Sequence, residues 1–214
     1  MLEVRGLNIH RGAQRLIGPL DFSVEAGQVQ AIMGPSGSGK STILNWLIGE
    51  TNDAFRYSGD ILLDGDSVVA LPIERRHIGI LFQDDLLFPN MNVGRNLAFA
   101  LPAGAAGAAG APARRQIVER VLEQVGLAGF HDRDPATLSG GQRARISVAR
   151  ALMAEPRALL LDEPFSKLDA TLRAQFRNFV FDWIARQSIP AILVTHNQDD
   201  VPAGSLLIQL EMKS

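Results

Sequence analysis

QVQAIMGPSGSGKSTILNWLIG, running from Gln28 to Gly49, is the stretch from which the rest of the architecture follows. It opens with QVQAIMG, a short apolar run closed by glycine, which reads as a buried strand. It ends with KSTILNWLIG, which puts Ile43, Leu44, Leu47 and Ile48 at helical spacing and stops at Gly49. Between them GPSGSGKS, Gly34 to Ser41, fits the phosphate-loop pattern GxxxxGK[ST], whose confirming context is a strand before it and a helix after it. In such a loop consecutive backbone N–H groups turn inward around phosphate oxygens, and the helix N-terminus behind them adds partial positive charge. Gly34, Pro35, Ser36, Gly37, Ser38, Gly39, Lys40, Ser41 and Thr42 are therefore the candidate cradle of a nucleotide. Lys40 is expected to reach the β- and γ-phosphates and Ser41 to ligate Mg²⁺.

Working outward, LEVRGLNI and LDFSVEAG alternate as strands, and GDILLDG is another strand between glycines. HIGILFQ is a further buried run. ALLLDEP and PAILVTH are short apolar strands ending in polar residues, and SLLIQLE is a last strand. From Asp84 to about Leu152 strand signals vanish. RRQIVERVLEQVGL is amphipathic, with Ile117, Val121 and Val125 on one face and Gly126 as a stop. DATLRAQFRNFVFDWIARQ is a long helix with Leu172, Phe176, Phe179 and Trp183 on one side. Strands alternating with helices imply an α/β fold with a mostly parallel sheet, into which the helical block 84–152 is inserted.

Composition narrows the options. At 214 residues and 46% hydrophobic, the chain fits one domain with a proper core, which excludes disordered and fibrous classes. A net charge of −2 argues against a general nucleic-acid binder. The absence of cysteine excludes disulfides and thiolate metal sites and fits a reducing cytosolic setting. The N-terminus has no apolar core of signal-peptide length. LAFALPAGAAGAAGAPA, Leu97 to Ala113, is uncharged, but after Leu101 it holds only Ala, Gly and Pro. Such residues gain little from lipid, so the stretch reads as a flexible surface loop rather than a membrane span.

Three strand ends carry polar groups. ALLLDEP supplies adjacent carboxylates, of which Asp162 fits the Mg²⁺-associated aspartate of a phosphate-loop site. Glu163 can orient or deprotonate a water attacking the γ-phosphate; its place directly after Asp162 favours that role over a helix cap or a solvated acid. Gln83 follows HIGILF, where a neutral amide can touch Mg²⁺ or the attacking water, although a glutamine at a strand end means little by itself. His196 follows AILVT, and a lone histidine is more often a structural hydrogen-bonder than a catalyst. Finally LSGGQRARISVARAL, Leu138 to Leu152, sets Ser139, Gly140, Gly141 and Gln142 at a second turn that looks phosphate-binding and opens a helix. A small protein with two such turns needs an explanation.

Taken in order, GPSGSGKS, Gln83, LSGGQ, LLLDEP, Ser166-Lys167-Leu168-Asp169 and His196 resemble the ATP-binding subunit of ABC transporters over essentially the whole chain. The resemblance implies a phosphate-loop NTPase fold with a RecA-like core sheet, N-terminal antiparallel strands and an inserted α-helical subdomain. It places the core at 1–84 and 153–214 and the helical subdomain at 85–152. It implies that Gln83 is the Q-loop glutamine, Asp169 the D-loop aspartate and His196 the switch histidine on the γ-phosphate. It also explains the second turn: two chains pair head to tail, and Ser139, Gly140, Gly141 and Gln142 of one cap the ATP held by the phosphate loop of the other. ILFQDDLLFPNMNVGRNLAFAL is similar to the importer branch, and the chain ends soon after His196, as in short forms without a C-terminal regulatory domain. The likeness is to short bacterial ABC ATPases of unassigned substrate near the thiamine and ferric-iron importer groups.

The implied cofactors are ATP and Mg²⁺. The implied partners are a second copy in the ATP state, a transmembrane permease and a solute-binding protein, with no nucleic acid. The implied location is cytoplasmic, on the inner face of the membrane. A non-transport ABC ATPase signalling through a membrane partner is the alternative, and a small phosphate-loop kinase is excluded by LSGGQ. Leu86, Leu87, Phe88 and Met91 cluster beside the Q-loop without helical or strand period, which points to a docking groove for the permease within Gln83 to Phe99. Two departures stand out. Where the family places an aromatic residue to stack on adenine, this chain has Arg11 or His10, and Arg11 is the candidate for the base. Its D-loop reads SKLD, with Lys167 where a small residue is commoner.

Overall fold

The computed structural model describes residues 1–102, 104 and 110–211. They form two compact units, Met1–Ile80 with Arg157–Glu163 and Arg177–Ser214 in one, and Leu81–Pro156 with Pro164–Phe176 in the other.

The first unit holds two sheets. Strands β1 (Leu2–Arg11), β2 (Gln14–Val24), β4 (Arg56–Leu63) and β5 (Asp66–Ser67) make a four-stranded antiparallel sheet in the order β2-β1-β4-β5. Leu2, Val4, Leu7 and Ile9 face its core, with a register shift between Val4 and Leu7 that preserves burial across the irregularity. β4 runs back past Gly59, longer than its apolar core suggests, because pairing with β1 carries it on to Arg56.

The second sheet runs β6 (Ile78–Leu81), β7 (Ala158–Asp162), β8 (Ala191–Thr195), β3 (Val29–Met33), β9 (Leu207–Gln209). β7, β8, β3 and β9 are parallel. Their near-unbroken apolar sequences are what a parallel sheet covered on both faces requires. β6 is an edge strand, so Gly79 and Ile80 are only half-buried and HIGILFQ is less buried than its composition predicts. Helix α1 (Lys40–Ile48) packs beside β7 and buries Ile43, Leu44, Leu47 and Ile48 as expected, together with Trp46. A short α2 (Ile73–Arg76) precedes β6.

The second unit is helical: α3 (Val93–Ala100), α4 (Gly110–Gln124), α5 (Gly140–Met153) and the first turns of α6 (Ala170–Gln187). Two expectations need correcting. The stretch Leu97 to Ala113 is not all loop, since α3 takes in Leu97–Ala100 and α4 begins at Gly110. Its middle, residues 103 and 105–109, lies outside the described residues. On α4 the buried side chains are Val118 and Leu122, followed by Val125 just past its end, one position round from the expected Ile117 and Val121. Among the described residues no helix is long and apolar enough to cross a membrane.

Candidate functional site

Parallel pairing brings three strand ends to one edge. Met33 lies opposite Thr195, and Asp162 opposite Val194. β8 is the middle strand of the three, so His196, just after it, falls between the phosphate loop after β3 and Glu163 after β7. Ligands of open α/β sheets bind outside such carboxyl ends. Here Ser36, Gly37, Gly39, Lys40, Ser41, Thr42, Glu163 and His196 line a cavity of about 550 Å³.

The loop is held from within. The Lys40 ammonium is buried and donates to the carbonyls of Gly34 at 2.8 Å and Pro35 at 2.9 Å. Gly39 sits at φ +93°, a region a side chain rarely enters, and a Cβ there would lie 2.6 Å from Ile17 Cδ1 of β2. The sequence gives no sign of that contact. The Ser38 hydroxyl is buried without a hydrogen-bond partner at the base of the loop. It is the kind of orphaned polar group that marks a ligand site.

Glu163 is in the left-handed region at φ +46°, unusual for a glutamate. Its N–H donates to the Val194 carbonyl at 3.0 Å, which ties the strained residue to β8. His196 Nδ1 lies 3.0 Å from Glu163 Oε2. A carboxylate only accepts, so Nδ1 carries the proton in this contact and fixes the direction of the carboxyl group. Burial pushes the Asp162 carboxyl above its ordinary range; the charge of Glu163 adds to this and the Lys40 ammonium pulls partly back. A carboxylate whose ionised form is disfavoured gains from a cation nearby. Among the described residues no group of three His, Asp or Glu could hold an ion. Mg²⁺ is commonly held by one or two carboxylates, with waters and nucleotide oxygens completing its shell. Ser41 and Asp162 fit that demand.

The remaining expected residues are distributed as follows. Arg11 is exposed at the end of β1, opposite Gln14, and neither it nor His10 lines the cavity. Gln83 is exposed in the loop after β6, in the second unit. Ser139 caps α5 in the same unit: its hydroxyl accepts from Gln142 N at 3.3 Å, and Gln142 Oε1 accepts from Ser139 N at 3.0 Å. This reciprocal box satisfies two orphan donors of the first turn. Ser139 and Gly140 remain exposed. Lys167, the unusual D-loop residue, pairs with Asp84 beside Gln83.

Comparison with known proteins agrees with this geometry. The ABC transporter family matches residues 17–166. The uncharacterized ABC transporter ATP-binding protein YnjD of Escherichia coli (strain K12) is 47% identical over 210 residues, covering 98% of this chain and 95% of that protein. The Fe(3+) ions import ATP-binding protein FbpC 3 of Rhodococcus jostii (strain RHA1) is 44% identical over 204 residues, covering 93% of this chain. The chain spans only 56% of that relative's length. Among solved structures, the dimeric post-hydrolysis state of the ATP-binding cassette MJ0796 bound to ADP and Pi is similar over 100% of this chain and 97% of its own, with a TM-score of 0.81 at 26% identity. A phosphate loop backed by a parallel sheet, a paired glutamate and histidine at its edge, and relatives matched along nearly the whole chain lead to one conclusion: this chain belongs to the ABC transporter family, as an ATP-binding subunit that hydrolyses ATP.

Proposed function

We propose that the chain energises a membrane importer, working as two copies that close on ATP and part after hydrolysis, bound peripherally to a permease on the cytoplasmic face of the membrane. The observation that carries the hydrolytic part is the His196–Glu163 contact beside the phosphate loop. Loop amides and the third N–H of Lys40 receive the phosphates. Glu163, held by His196, orients or deprotonates the attacking water. Mg²⁺, held by Ser41 and Asp162 with the nucleotide, would neutralise charge at the β- and γ-phosphates. Ser139, Gly140, Gly141 and Gln142 of a second copy would cap the γ-phosphate, so that ATP joins the copies and its loss releases them. The dimeric form of MJ0796 supports the pairing. Importer names among the relatives, FbpC for Fe(3+) ions and CysA for sulfate/thiosulfate, support import through a permease, fed by a solute-binding protein.

Glu163→Gln tests the hydrolytic reading. It removes the water-activating carboxylate and leaves the cradle, so ATP binding persists, turnover nearly vanishes and light scattering finds an ATP-dependent dimer. Hydrolysis near the wild-type rate would rule Glu163 out as the base. Co-purification with a polytopic membrane protein tests the transport reading.

A further inference from the structure

One arginine of the second unit touches both the exposed loop after β6 and the start of the Ser139 turn. Arg143, in the first turn of α5, donates from Nη1 to the Leu138 carbonyl at 2.7 Å and from Nε to Asp85 Oδ2 at 3.1 Å. Leu138 is buried and immediately precedes Ser139. Its peptide plane sets the direction in which the Ser139 N–H and the following glycine amides point. On its other side the turn is tight, since a Cβ on Gly141 would lie 2.5 Å from Leu172 Cδ2. Asp85 is itself delivered: Arg150, two turns further along α5, donates to the carbonyls of Leu86 at 2.7 Å and Asp85 at 3.3 Å.

We propose that Arg143 and Asp85 act as a positioning pair for the signature turn, so that Asp85 orients the guanidinium and the guanidinium fixes the peptide from which Ser139 is presented to nucleotide. The guanidinium fork is what the arrangement needs, because it meets a carboxylate and a carbonyl at once from fixed directions; an ammonium is a single mobile point. The pair is also half-open, 38% and 30% exposed at the two side chains. A pair so exposed contributes little to global stability, so its removal changes the aim of the turn more than the fold. Both residues belong to the second unit and the phosphate loop to the first, so the proposal predicts unchanged nucleotide capture by the single chain. The inference rests on the proposed sharing of ATP between two copies.

The experiment uses the full chain carrying Glu163→Gln, with ATP-driven dimerisation followed by light scattering and ATP affinity measured below the dimerisation concentration. Kinetics are measured with Glu163 intact. Arg143→Ala is expected to weaken dimerisation and lower kcat by about tenfold, with ATP affinity of the single chain within about twofold of the parent, the pattern of an interaction made only in the closed state. Arg143→Lys recovers part of this loss. Asp85→Ala alone gives a smaller loss, and Asp85→Ala with Arg143→Ala is no worse than Arg143→Ala, as coupled residues require. Wild-type dimerisation in Arg143→Ala, additive losses in the double variant, or a parallel fall in single-chain ATP affinity would each overturn the proposal. If Arg143→Ala does not fold, Asp85→Asn decides: unchanged dimerisation overturns the pair, and a loss with an unchanged melting curve supports it. A Glu163→Gln parent that stays monomeric with ATP overturns the shared-site reading itself, and the pair with it.

Discussion

Arg11 stands where the family resemblance leads one to expect an aromatic residue, and its chemistry limits how strongly it could hold a base. A guanidinium can stack on adenine as a cation–π contact of about 0.5–1 kcal/mol at an exposed site. An aromatic stack is worth roughly 1–3 kcal/mol per base. Arg11 is exposed at the hairpin end of β1 and lies outside the wall of the phosphate cavity, so a base stacked on it would be held weakly and open to solvent. Stacking of this kind reads no base edge. GTP is therefore expected to support hydrolysis at a rate comparable to ATP. Arg11→Ala is expected to raise the KM for ATP several-fold with kcat little changed, the mark of binding lost equally from ground and transition states. Steady-state kinetics with both nucleotides check this, with His10→Ala beside it; an unchanged KM in both variants removes the stacking role. Glu163 makes the complementary point. At φ +46° this glutamate is held by the Val194 carbonyl at its backbone N–H and by His196 at its carboxyl group.

At the scale of elements, α1 has a partner at each end. Its N-terminus opens from the phosphate loop, and its C-terminus is closed by Arg76, which is buried. The guanidinium donates to the carbonyls of Trp46 at 2.8 Å and Leu47 at 3.0 Å in the last turn. It also reaches Val69 at 2.6 Å and Leu71 at 3.0 Å. Helices leave their last carbonyls without partners and carry partial negative charge there, so a buried cation with four carbonyl acceptors answers both needs. Burial nonetheless pulls the guanidinium below its ordinary pKa range. Arg76→Met would strand those carbonyls and is expected to lower stability by about 2–3 kcal/mol in urea unfolding, with Arg76→Lys between it and wild type. A midpoint unchanged in Arg76→Met would show that the carbonyls find water instead.

None of this is legible in the sequence, where Arg76 reads as one more charge before a strand. What was legible shares one property: each feature is local. The strand, loop and helix from Gln28 to Gly49, and the polar residues ending β7 and β8, follow from adjacency and period alone. The buried stripe of α4 lies one position from the expected one because Ile117–Val121 and Val118–Leu122 are both apolar at helical spacing, and only the neighbouring helices choose between them. On α6 the helical spacing points to Phe179 and Trp183, yet Val180 and Ile184 are as deeply buried as Phe176 and more so than either ring, since large rings often keep an edge in solvent. Arg76 with its carbonyls, Ile17 over Gly39 and Arg143 with Asp85 depend on pairings between distant segments, which no period encodes.

For the molecule as part of an assembly, the surface proposed for docking is on the second unit. Leu86 is 53% exposed and Phe99 65% exposed, large apolar side chains that the fold leaves in solvent. They are presented on a rigid support. Phe99 stacks edge-on against Phe88 at 5.1 Å, and Arg150 lies over the Phe88 ring at 5.4 Å. Asn96, fully buried, accepts from Phe88 N at 2.8 Å and donates to the carbonyls of Phe88 at 3.1 Å and Met91 at 3.0 Å. Leu86 is held at φ +45°, a conformation costly for a branched side chain, while Arg150 binds its carbonyl. Strain and exposure at one apolar residue cost stability and give the isolated chain nothing, whereas a partner that covers Leu86 and Phe99 recovers the burial. The expected partner is the cytoplasmic face of the permease. Leu86→Asp and Phe99→Asp should therefore fold with an unchanged melting curve and keep the ATPase rate of the isolated subunit, yet fail to co-purify with the permease. Had these side chains been part of the core, the same substitutions would lower the melting temperature by several degrees, as burying a charge does, and complex formation would be lost only in step with folding. Retained co-purification by a folded Leu86→Asp, Phe99→Asp double variant would place the docking surface elsewhere on the chain.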